Sequence, residues 1–345
     1  MIHVMVLCLL SAAADAGLPE AGVAHDARVP STWRLNAKFK EGGVREALIA
    51  DFTRKAAGTG ETALTREEAE ALLDDPRTAM IYGDKTVSIV APSMVTRHRQ
   101  EHVDLMKRFL LPERVEAGRT FMHEKEVVLS ATEKKTGVDR QVIIGILMWE
   151  SKLGTITGDF FAFNALASQA FFIDEANAVA LSREEEKAVL SGVTSDPKKK
   201  AKKPTEEELA KIAAAKAEAE RKQANRVESI RNRARKNLNA LVRQCKTRGI
   251  DPLSVKGSWA GALGFPQFMP ASLRWAEDGN GDGKIDLFDM DDAIASVGKY
   301  LSSAGFKKSA RDAVYDYNHE AAYVEGVLAF AAALKASPDG GVATP

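Results

Sequence analysis

Residues 257–270 read GSWAGALGFPQFMP, a run of small residues and aromatic rings with glutamine as its central polar group. Glycine has no Cβ and lets the backbone approach a ligand closely, so this stretch predicts a groove. It is followed by the acidic loop DGNGDGKID at 278–286 and preceded by the apolar run VIIGILMWE at 142–150. The three stretches together indicate a mainly helical fold with a groove, a cation loop and an acid at a helix end.

The acid is Glu150, which closes a helix that is apolar on nearly every face. Burial and the negative end of the helix dipole both disfavour a carboxylate, so we expect a raised pKa. Such a group suits a general acid that protonates a glycosidic oxygen. The nearest downstream candidates for a second carboxylate, Asp159, Asp174 and Glu175, have no comparably apolar neighbours. On these residues alone, a structural role for Glu150 at the helix end stays open.

The composition hides a local charge imbalance. The chain has 345 residues, 45% of them hydrophobic, which is enough for a packed core, and its formal net charge is zero. Residues 198–248 nevertheless hold 17 lysines and arginines against 6 glutamates, a net charge of +11 that the rest of the chain balances. A strongly basic segment therefore lies within an otherwise acidic protein.

The N-terminus has the features of an export signal. Residues 1–10 are apolar, and Ala14 and Ala16 offer the small side chains that a signal peptidase accepts. We expect residues 1–16 to be a signal peptide, the mature protein to be soluble and the periplasm to be its compartment. A short buried N-terminal helix is the alternative interpretation.

Helix signals dominate the rest of the chain. Thr65-x-x-Glu68 and residues 205–208 have the pattern of a capping box, Gly137 is placed to end a helix and Asp139 to cap the next one. Strand-like alternation is nearly absent. These features predict a mainly α fold.

A stripe of apolar residues predicts one amphipathic helix near the middle of the chain. Its members are Val227, Ile230, Ala234, Leu238, Leu241, Val242 and Cys245. Because Cys245 lies on this stripe, we expect a packed thiol rather than a nucleophile.

Residues 191–224 differ in composition, with many Lys, Ala and Glu and almost no large apolar side chain. This predicts a solvated helical insertion rather than a domain. Its charge could contact anionic wall polymers or nucleic acid, but a charged run is usually a solvated face, and we expect no nucleic-acid partner.

The acidic loop has the spacing of a calcium site. Asp278, Asn280 and Asp282 stand at positions 1, 3 and 5 of an EF-hand-like pattern, and the carbonyl of Lys284 falls at position 7. Position 12 is Asp289 instead of the usual glutamate. An Asp/Gly-rich surface turn without metal is the alternative.

Several motifs in order resemble the lytic murein transglycosylases of the B type. The resemblance extends from about residue 44 to 334 and is interrupted by the lysine-rich stretch. The motifs are Trp149-Glu150-Ser-Lys-Leu-Gly154, Asn164-Ala-Leu-Ala167, Lys256-Gly-Ser-Trp-Ala-Gly-Ala-Leu-Gly264, Gln267-Phe-Met-Pro270, the acidic loop and Tyr317-Asn318.

The resemblance implies a goose-type lysozyme-like helical core with flanking helical parts, acting on peptidoglycan strands between N-acetylmuramic acid and N-acetylglucosamine. It implies that Glu150 alone acts as acid and then as base, closing a 1,6-anhydro ring without water. It also implies that Ser258 and Gln267 hydrogen-bond the sugar, and that Tyr317 and Asn318 line the cleft.

The resemblance further implies a longer metal loop, in which Asp292 replaces Asp289 in the shell of a structural Ca²⁺. The expected ligands are then Asp278, Asn280, Asp282, Lys284 and Asp292.

The sequence divides into expected segments of a monomeric protein. They are a signal peptide (1–16), an N-terminal helical part (17–125), the first half of the catalytic core (126–190), the insertion (191–224), the second half of the core (225–335) with the metal loop (278–292), and a flexible tail (336–345). Three functions remain open from the sequence: a lytic transglycosylase, a peptidoglycan hydrolase that uses a second carboxylate, and an inactive wall-binding protein.

Overall fold

The structure is a computed structural model that describes residues 42–54, 62–79, 81, 107, 110–174 and 206–336. The predicted signal peptide, the start of the lysine-rich insertion, including Thr205 of the second predicted capping box, and residues 337–345 of the predicted tail lie outside the described residues.

The described chain is mainly α-helical, as the sequence predicts. Its only strands are the two-residue β1 (Phe160–Phe161) and β2 (Lys256–Gly257), which pair antiparallel with Phe160 opposite Gly257. A 3₁₀ helix spans Pro270–Trp275. The α-helices are α1 (Gly42–Thr53), α2 (Arg66–Asp74), α3 (Pro112–Glu124), α4 (Glu126–Thr136), α5 (Arg140–Ser151), α6 (Ala162–Phe171), α7 (Glu206–Arg248), α8 (Met290–Ser303), α9 (Ala310–Tyr317) and α10 (Ala321–Lys335).

Two of the predicted helix ends are confirmed. Thr65 and Glu68 form a reciprocal capping box at the start of α2, and Gly137 ends α4 in the left-handed conformation with φ 71°. The predicted cap at Asp139 lacks the expected hydrogen bond between its side chain and the helix backbone. Asp139 does stand at the N-cap of α5, but its carboxylate accepts a hydrogen bond from Lys335 Nζ at 2.6 Å and makes none to the helix backbone. The ammonium group of Lys335 competes successfully for that carboxylate.

Helix α5 is the centre of the first hydrophobic core. Every residue from 142 to 151 is buried, and α3, α4, α8 and α10 pack around the helix. Small residues set the closest approach to α10: a Cβ added at Gly145 would lie 3.0 Å from the backbone oxygen of Val327. On α10, Gly326 lies flat against the indole ring of Trp149. The last turn of α5 is thereby held in one position.

Helix α7 forms the second core with α6, α1 and α2. All seven residues of the predicted apolar stripe are buried, which confirms that prediction. Burial raises the pKa of the Cys245 thiol to about 12, so this side chain is a packed, un-ionised thiol. The helix is continuous for 43 residues, so the predicted boundary between residues 224 and 225 falls inside one helix.

Within the described residues, no helix combines the length and apolarity that crossing a bilayer requires.

We predict that Gly326→Ala destabilises the protein by about 1–3 kcal/mol, the usual range for overpacking. The added Cβ would lie 2.3 Å from Cζ3 of Trp149, so the indole ring must move. The measurement is denaturant unfolding followed by tryptophan fluorescence. Gly43→Ala in α1 is the matched control, because nothing lies within 4 Å of its Cβ position and alanine favours a helix. Equal stability of the two variants would contradict the packing described here.

Candidate active site

A cleft of about 380 Å³ opens at the end of α5. Its walls come from α7, from the loop and 3₁₀ turn that follow β2, from α8, and from the turn between α9 and α10. The lining residues are Glu150, Arg233, Lys236, Asn237, Gln267, Phe268, Met269, Ala271, Ser272, Tyr300, Asp316, Tyr317, Asn318, His319 and Glu320.

Glu150 is the penultimate residue of α5 and reaches the cleft from the core side. The helix ends directly after it because Lys152 and Leu153 adopt left-handed φ angles of 49° and 55°. Only 5% of Glu150 is exposed. Burial raises the pKa of its carboxyl group to about 8, as the sequence predicts in direction. The Tyr323 hydroxyl offsets part of that shift, although it makes no well-formed hydrogen bond.

Two buried phenols surround this carboxyl group. Burial and the charge of Glu150 raise the pKa of both Tyr317 and Tyr323 well above the ordinary value. The Tyr317 hydroxyl donates a hydrogen bond to the carbonyl oxygen of Pro266, and Tyr323 meets the edge of Trp149 with ring centroids 5.4 Å apart. These rings exclude water from Glu150 and stay neutral, and the burial that they cause outweighs the opposing effect of the Tyr323 hydroxyl on its pKa.

Of the carboxylates suggested by the sequence as a partner for Glu150, the two that the structure describes, Asp159 and Asp174, do not line the cleft. Asp159 is exposed, and Asp174 forms an ion pair with Arg231. Glu175 lies outside the described residues.

The cleft has two other carboxylates that the sequence interpretation missed, Asp316 and Glu320. Glu320 is the N-cap of α10 and accepts a hydrogen bond from the Ala322 amide. Neither group contributes to the raised pKa of Glu150, whose causes are burial and the opposing Tyr323 hydroxyl. Burial, and not a second carboxylate, is thus the main cause of the raised pKa of Glu150.

Gln267 lies in the cleft on a tight turn of residues 263–268. Leu263 and Phe268 form an antiparallel bridge, and Gln267 donates its backbone N–H to Gly264 O at 3.2 Å. Both Gly264 and Gln267 have positive φ, 66° and 51°. Positive φ is uncommon outside glycine and recurs at functional sites. The side-chain Nε2 donates to Thr157 O and Gly264 O, which fixes the amide in place.

The structure brings Glu150, Gln267, Tyr317 and Asn318 together around one cleft. Ser258 is not among the lining residues. It is buried, and its Oγ accepts a hydrogen bond from the Ala262 amide at 3.1 Å within the loop. A role for Ser258 in sugar binding stays a prediction.

The glycines of the groove motif approach protein atoms rather than an open space. A Cβ at Gly257 would lie 2.4 Å from Ala262 O, and one at Gly261 would lie 2.4 Å from Cγ of Leu166. The expectation that these glycines leave room for a sugar is thus wrong at these positions. They are required because the loop folds back on itself and onto α6.

Sequence reasoning also missed the aromatic side of the cleft. Tyr300 of α8 lies between Tyr317 and Trp275, with ring centroids at 4.9 and 4.6 Å, and Phe268 packs on both tyrosines. Tyr300 stands on an amphipathic stripe in the sequence, so its pattern indicated only a core position. No periodicity could have indicated which part of the stripe reaches a cleft.

The polar side chains of the acidic loop accept hydrogen bonds from the loop's own amides. Asp278 accepts hydrogen bonds from two loop amides, Gly281 and Gly283, at 2.6 and 2.8 Å. Asn280 accepts one from the amide of Asp282 at 2.9 Å. Asp282 accepts one from the Lys284 amide. These are Asx-type turns, which hold the side-chain oxygens in fixed directions.

Asp289 and Asp292 accept hydrogen bonds from different parts of the backbone. Asp289 is the N-cap of α8 and accepts from the amides of Asp291 and Asp292. Asp292 is 1% exposed and reaches back into the loop, where it accepts from Gly279 N at 2.8 Å and Asp286 N at 2.7 Å. The described residues contain no compact group of three His, Cys, Asp or Glu side chains arranged around a metal position. Calcium therefore stays a prediction, and the orientation of Asp292 favours it over Asp289 as the closing ligand.

We predict that Glu150→Gln makes the protein more stable at pH 8 than the wild type, by about 2–4 kcal/mol. The folded state holds the Glu150 proton up to a pKa of about 8, whereas the unfolded state loses it near 4.5. The wild type therefore loses stability as pH rises through that window, and the amide does not. Denaturant unfolding from pH 4.5 to 8 measures the difference. Glu124→Gln, at an exposed position of α3, should show no such trend.

A model of the transglycosylase SLT domain family matches residues 46–326. Membrane-bound lytic murein transglycosylase B of Escherichia coli (strain K12) is 27% identical over 209 residues, which are 60% of this chain and 43% of that protein. The chain thus matches less than half the length of this curated relative.

Solved structures share the fold. The Escherichia coli lytic transglycosylase Slt35 in complex with bulgecin A superposes with a TM-score of 0.58 at 18% identity, over 90% of this chain and 98% of that chain. The same protein in complex with calcium gives 0.56 at 18% identity, over 90% and 97%. SltB3 from Pseudomonas aeruginosa in complex with NAG-anhNAM-pentapeptide gives 0.53 at 16% identity, over 85% and 80%. These likenesses confirm the predicted lysozyme-like helical core. Because the family model matches most of the sequence, from α1 to α10, the chain belongs to the transglycosylase SLT domain family.

Proposed function

We propose that this protein is an exported lytic transglycosylase that cleaves peptidoglycan between N-acetylmuramic acid and N-acetylglucosamine without water. The observation that carries the proposal is Glu150, a single buried carboxyl group at the cleft with a pKa of about 8. Membership of the transglycosylase SLT domain family and the name of the Escherichia coli relative support it.

In the first step, protonated Glu150 donates its proton to the glycosidic oxygen between the two sugars. The bond from the anomeric carbon of the muramic acid to that oxygen breaks, and N-acetylglucosamine leaves as an alcohol. A pKa near 8 keeps the acid protonated at neutral pH. The substrate's own acetamido group can stabilise the positive charge that develops at the anomeric carbon, so this step needs no second carboxylate.

In the second step, the Glu150 carboxylate takes the proton from the 6-hydroxyl of the same muramic acid. The hydroxyl oxygen then bonds to the anomeric carbon and closes a 1,6-anhydro ring. Glu150 ends the cycle protonated, as it began. Its dry surroundings of buried tyrosine rings favour this internal closure over attack by water.

The other predicted contacts fit one sugar-binding wall. Gln267 and Asn318 line the cleft and carry amide groups. Gln267 donates its side-chain N–H groups to Thr157 O and Gly264 O and would accept from a sugar through Oε1, whereas the Asn318 amide can both donate and accept. Tyr317 lies beside Glu150 and would contact the sugar with its ring edge. Ser258 does not line the cleft, so its hydrogen bond to the sugar remains a prediction of the resemblance. The substrate lies outside the cytoplasm, which supports export through residues 1–16 to the periplasm.

We predict that the wild type releases anhydro-muropeptides from purified peptidoglycan and that Glu150→Gln lowers this release by at least about 10³-fold. Mass spectrometry of the soluble products distinguishes the mechanisms, because hydrolysis adds one water and transglycosylation adds none. Products with a reducing end would instead indicate a hydrolase, with Asp316 or Glu320 as the base. Glu150-independent release, or no product at all, would contradict the proposal.

We also propose that the loop at 278–292 binds a structural Ca²⁺. The supporting observations are the side-chain oxygens of Asp278, Asn280 and Asp282, held by hydrogen bonds within the loop, and the buried Asp292 carboxylate, which bonds to backbone amides of the same loop. The carbonyl of Lys284 would complete the set. Hard oxygen ligands of this kind suit calcium, and Slt35 of the same fold is known as a calcium complex. The ion would join the loop to the start of α8 and take no part in the proton transfers.

We predict that calcium raises the melting temperature of the wild type and that Asp292→Asn removes this calcium-dependent increase. Asp289→Ala should lower stability by about 0.5–2 kcal/mol through loss of the helix cap, yet keep the increase. Thermal unfolding with calcium and with a chelator measures both effects. The opposite pattern would assign the closing ligand to Asp289, and no calcium effect in the wild type would remove the metal site.

A further inference from the structure

Helix α7 presents a basic face to the cleft. Arg233, Lys236 and Asn237 line it together with Glu150. Residues three and four positions apart lie on one side of a helix, so these three side chains form a continuous strip. This strip lies outside the predicted insertion at 191–224, and the sequence interpretation assigned it no role.

The neighbouring arginines of α7 point elsewhere and have structural partners. Arg231 forms an ion pair with Asp174, and Arg235 pairs with the buried Asp51 of α1. These two positions lie on another side of the helix from Arg233. The charges of Arg231 and Arg235 thus serve contacts on another side of the helix from the cleft.

The strip is held in place but stays accessible. Asn237 accepts a hydrogen bond from the Ala271 amide at 3.0 Å and donates one to the Arg233 carbonyl at 2.9 Å, which fixes α7 against the cleft loop. Lys236 is exposed, and it makes no ion pair with any residue that the structure describes. An exposed lysine at the edge of a binding cleft, with no ion pair among the described residues, is available to an anionic group of a ligand.

The two walls of the cleft differ in charge. Asp316 and Glu320 lie at the α9–α10 side, and the two basic residues lie on α7. The sugars of peptidoglycan strands are neutral apart from the groups on the lactyl side chain of muramic acid. That side chain carries the peptide stem, whose free carboxylates must lie near the muramic acid held at Glu150. The acidic wall would repel them, and the α7 wall would attract them.

On the basis of the proposed function, we infer that Arg233 and Lys236 bind the carboxylates of the peptide stem and make the enzyme selective for strands whose stems carry free carboxylates. Two partly exposed ion pairs support a preference of about three- to tenfold. The guanidinium of Arg233 is suited to a bidentate carboxylate contact, and the ammonium of Lys236 supplies a second point charge.

The test compares two soluble substrates: stem-bearing glycan strands, and the same strands with their stem carboxylates converted to primary amides. The wild type should show a kcat/KM about three- to tenfold lower on the amide-capped strands. Arg233→Gln with Lys236→Gln should abolish the difference by lowering only the value for native strands. Lys236→Gln alone should remove part of the difference in kcat/KM between the two substrates. Because Lys236 is exposed, this single variant still tests the inference if the double variant fails to fold.

The matched control is Arg221→Gln with Lys222→Gln, an equal charge change at exposed positions about 18 Å along the same helix. It should keep the wild-type ratio. A double variant at Arg233 and Lys236 that keeps the ratio, or a wild type that does not discriminate, would overturn the inference. Binding of both strands to Glu150→Gln, measured by calorimetry, gives the same ratio without turnover. If binding depends on the stem carboxylates but no anhydro product forms, the proposed reaction is contradicted, whereas the inferred contact of Arg233 and Lys236 with the stem is supported.

Discussion

The desolvation of one carboxyl group at the end of α5 is the constraint on which the rest of the structure depends. Glu150 would ionise and take up water if the last turn of α5 could move outwards. The glycine contacts between α5 and α10 and the rings of Tyr317 and Tyr323 prevent that movement. Burying such a group costs free energy, which the apolar residues of α5 offset through the hydrophobic core.

The buried elements and the helix ends could largely be predicted from the sequence. Continuous apolar residues in α5 and the stripe of α7 fix which elements are buried, and local signals such as Thr65-x-x-Glu68 and Gly137 mark where helices begin and end. These features depend on residues close in sequence. Asp139 stands at the predicted N-cap but lacks the side-chain hydrogen bond of a cap, because its carboxylate bonds to Lys335, which is distant in sequence and reaches it only in the folded protein.

The candidate site was predictable where a motif places a residue at the end of a helix, as at Glu150 and Tyr317, or on a tight turn, as at Gln267. It was not predictable where the outcome depends on the direction in which a side chain points. The glycines of the groove motif and Ser258 have the composition of a ligand surface, yet their nearest neighbours are protein atoms. Tyr300 and the basic strip of α7 stand on ordinary amphipathic patterns, and only the meeting of four distant segments makes them walls of a cleft.

The continuous course of α7 has a consequence for how this chain can vary in length. From Gln223 onward the helix is anchored through buried residues, whereas the side chains from Glu218 to Lys222 are exposed or half-buried. One inserted residue turns a helix by about 100°. An insertion beyond Gln223 would rotate the cleft strip away from Glu150, whereas one before it would change only the helical extension. Evolution can therefore lengthen or shorten the N-terminal part of α7 one residue at a time without rotating Arg233 and Lys236 away from the cleft.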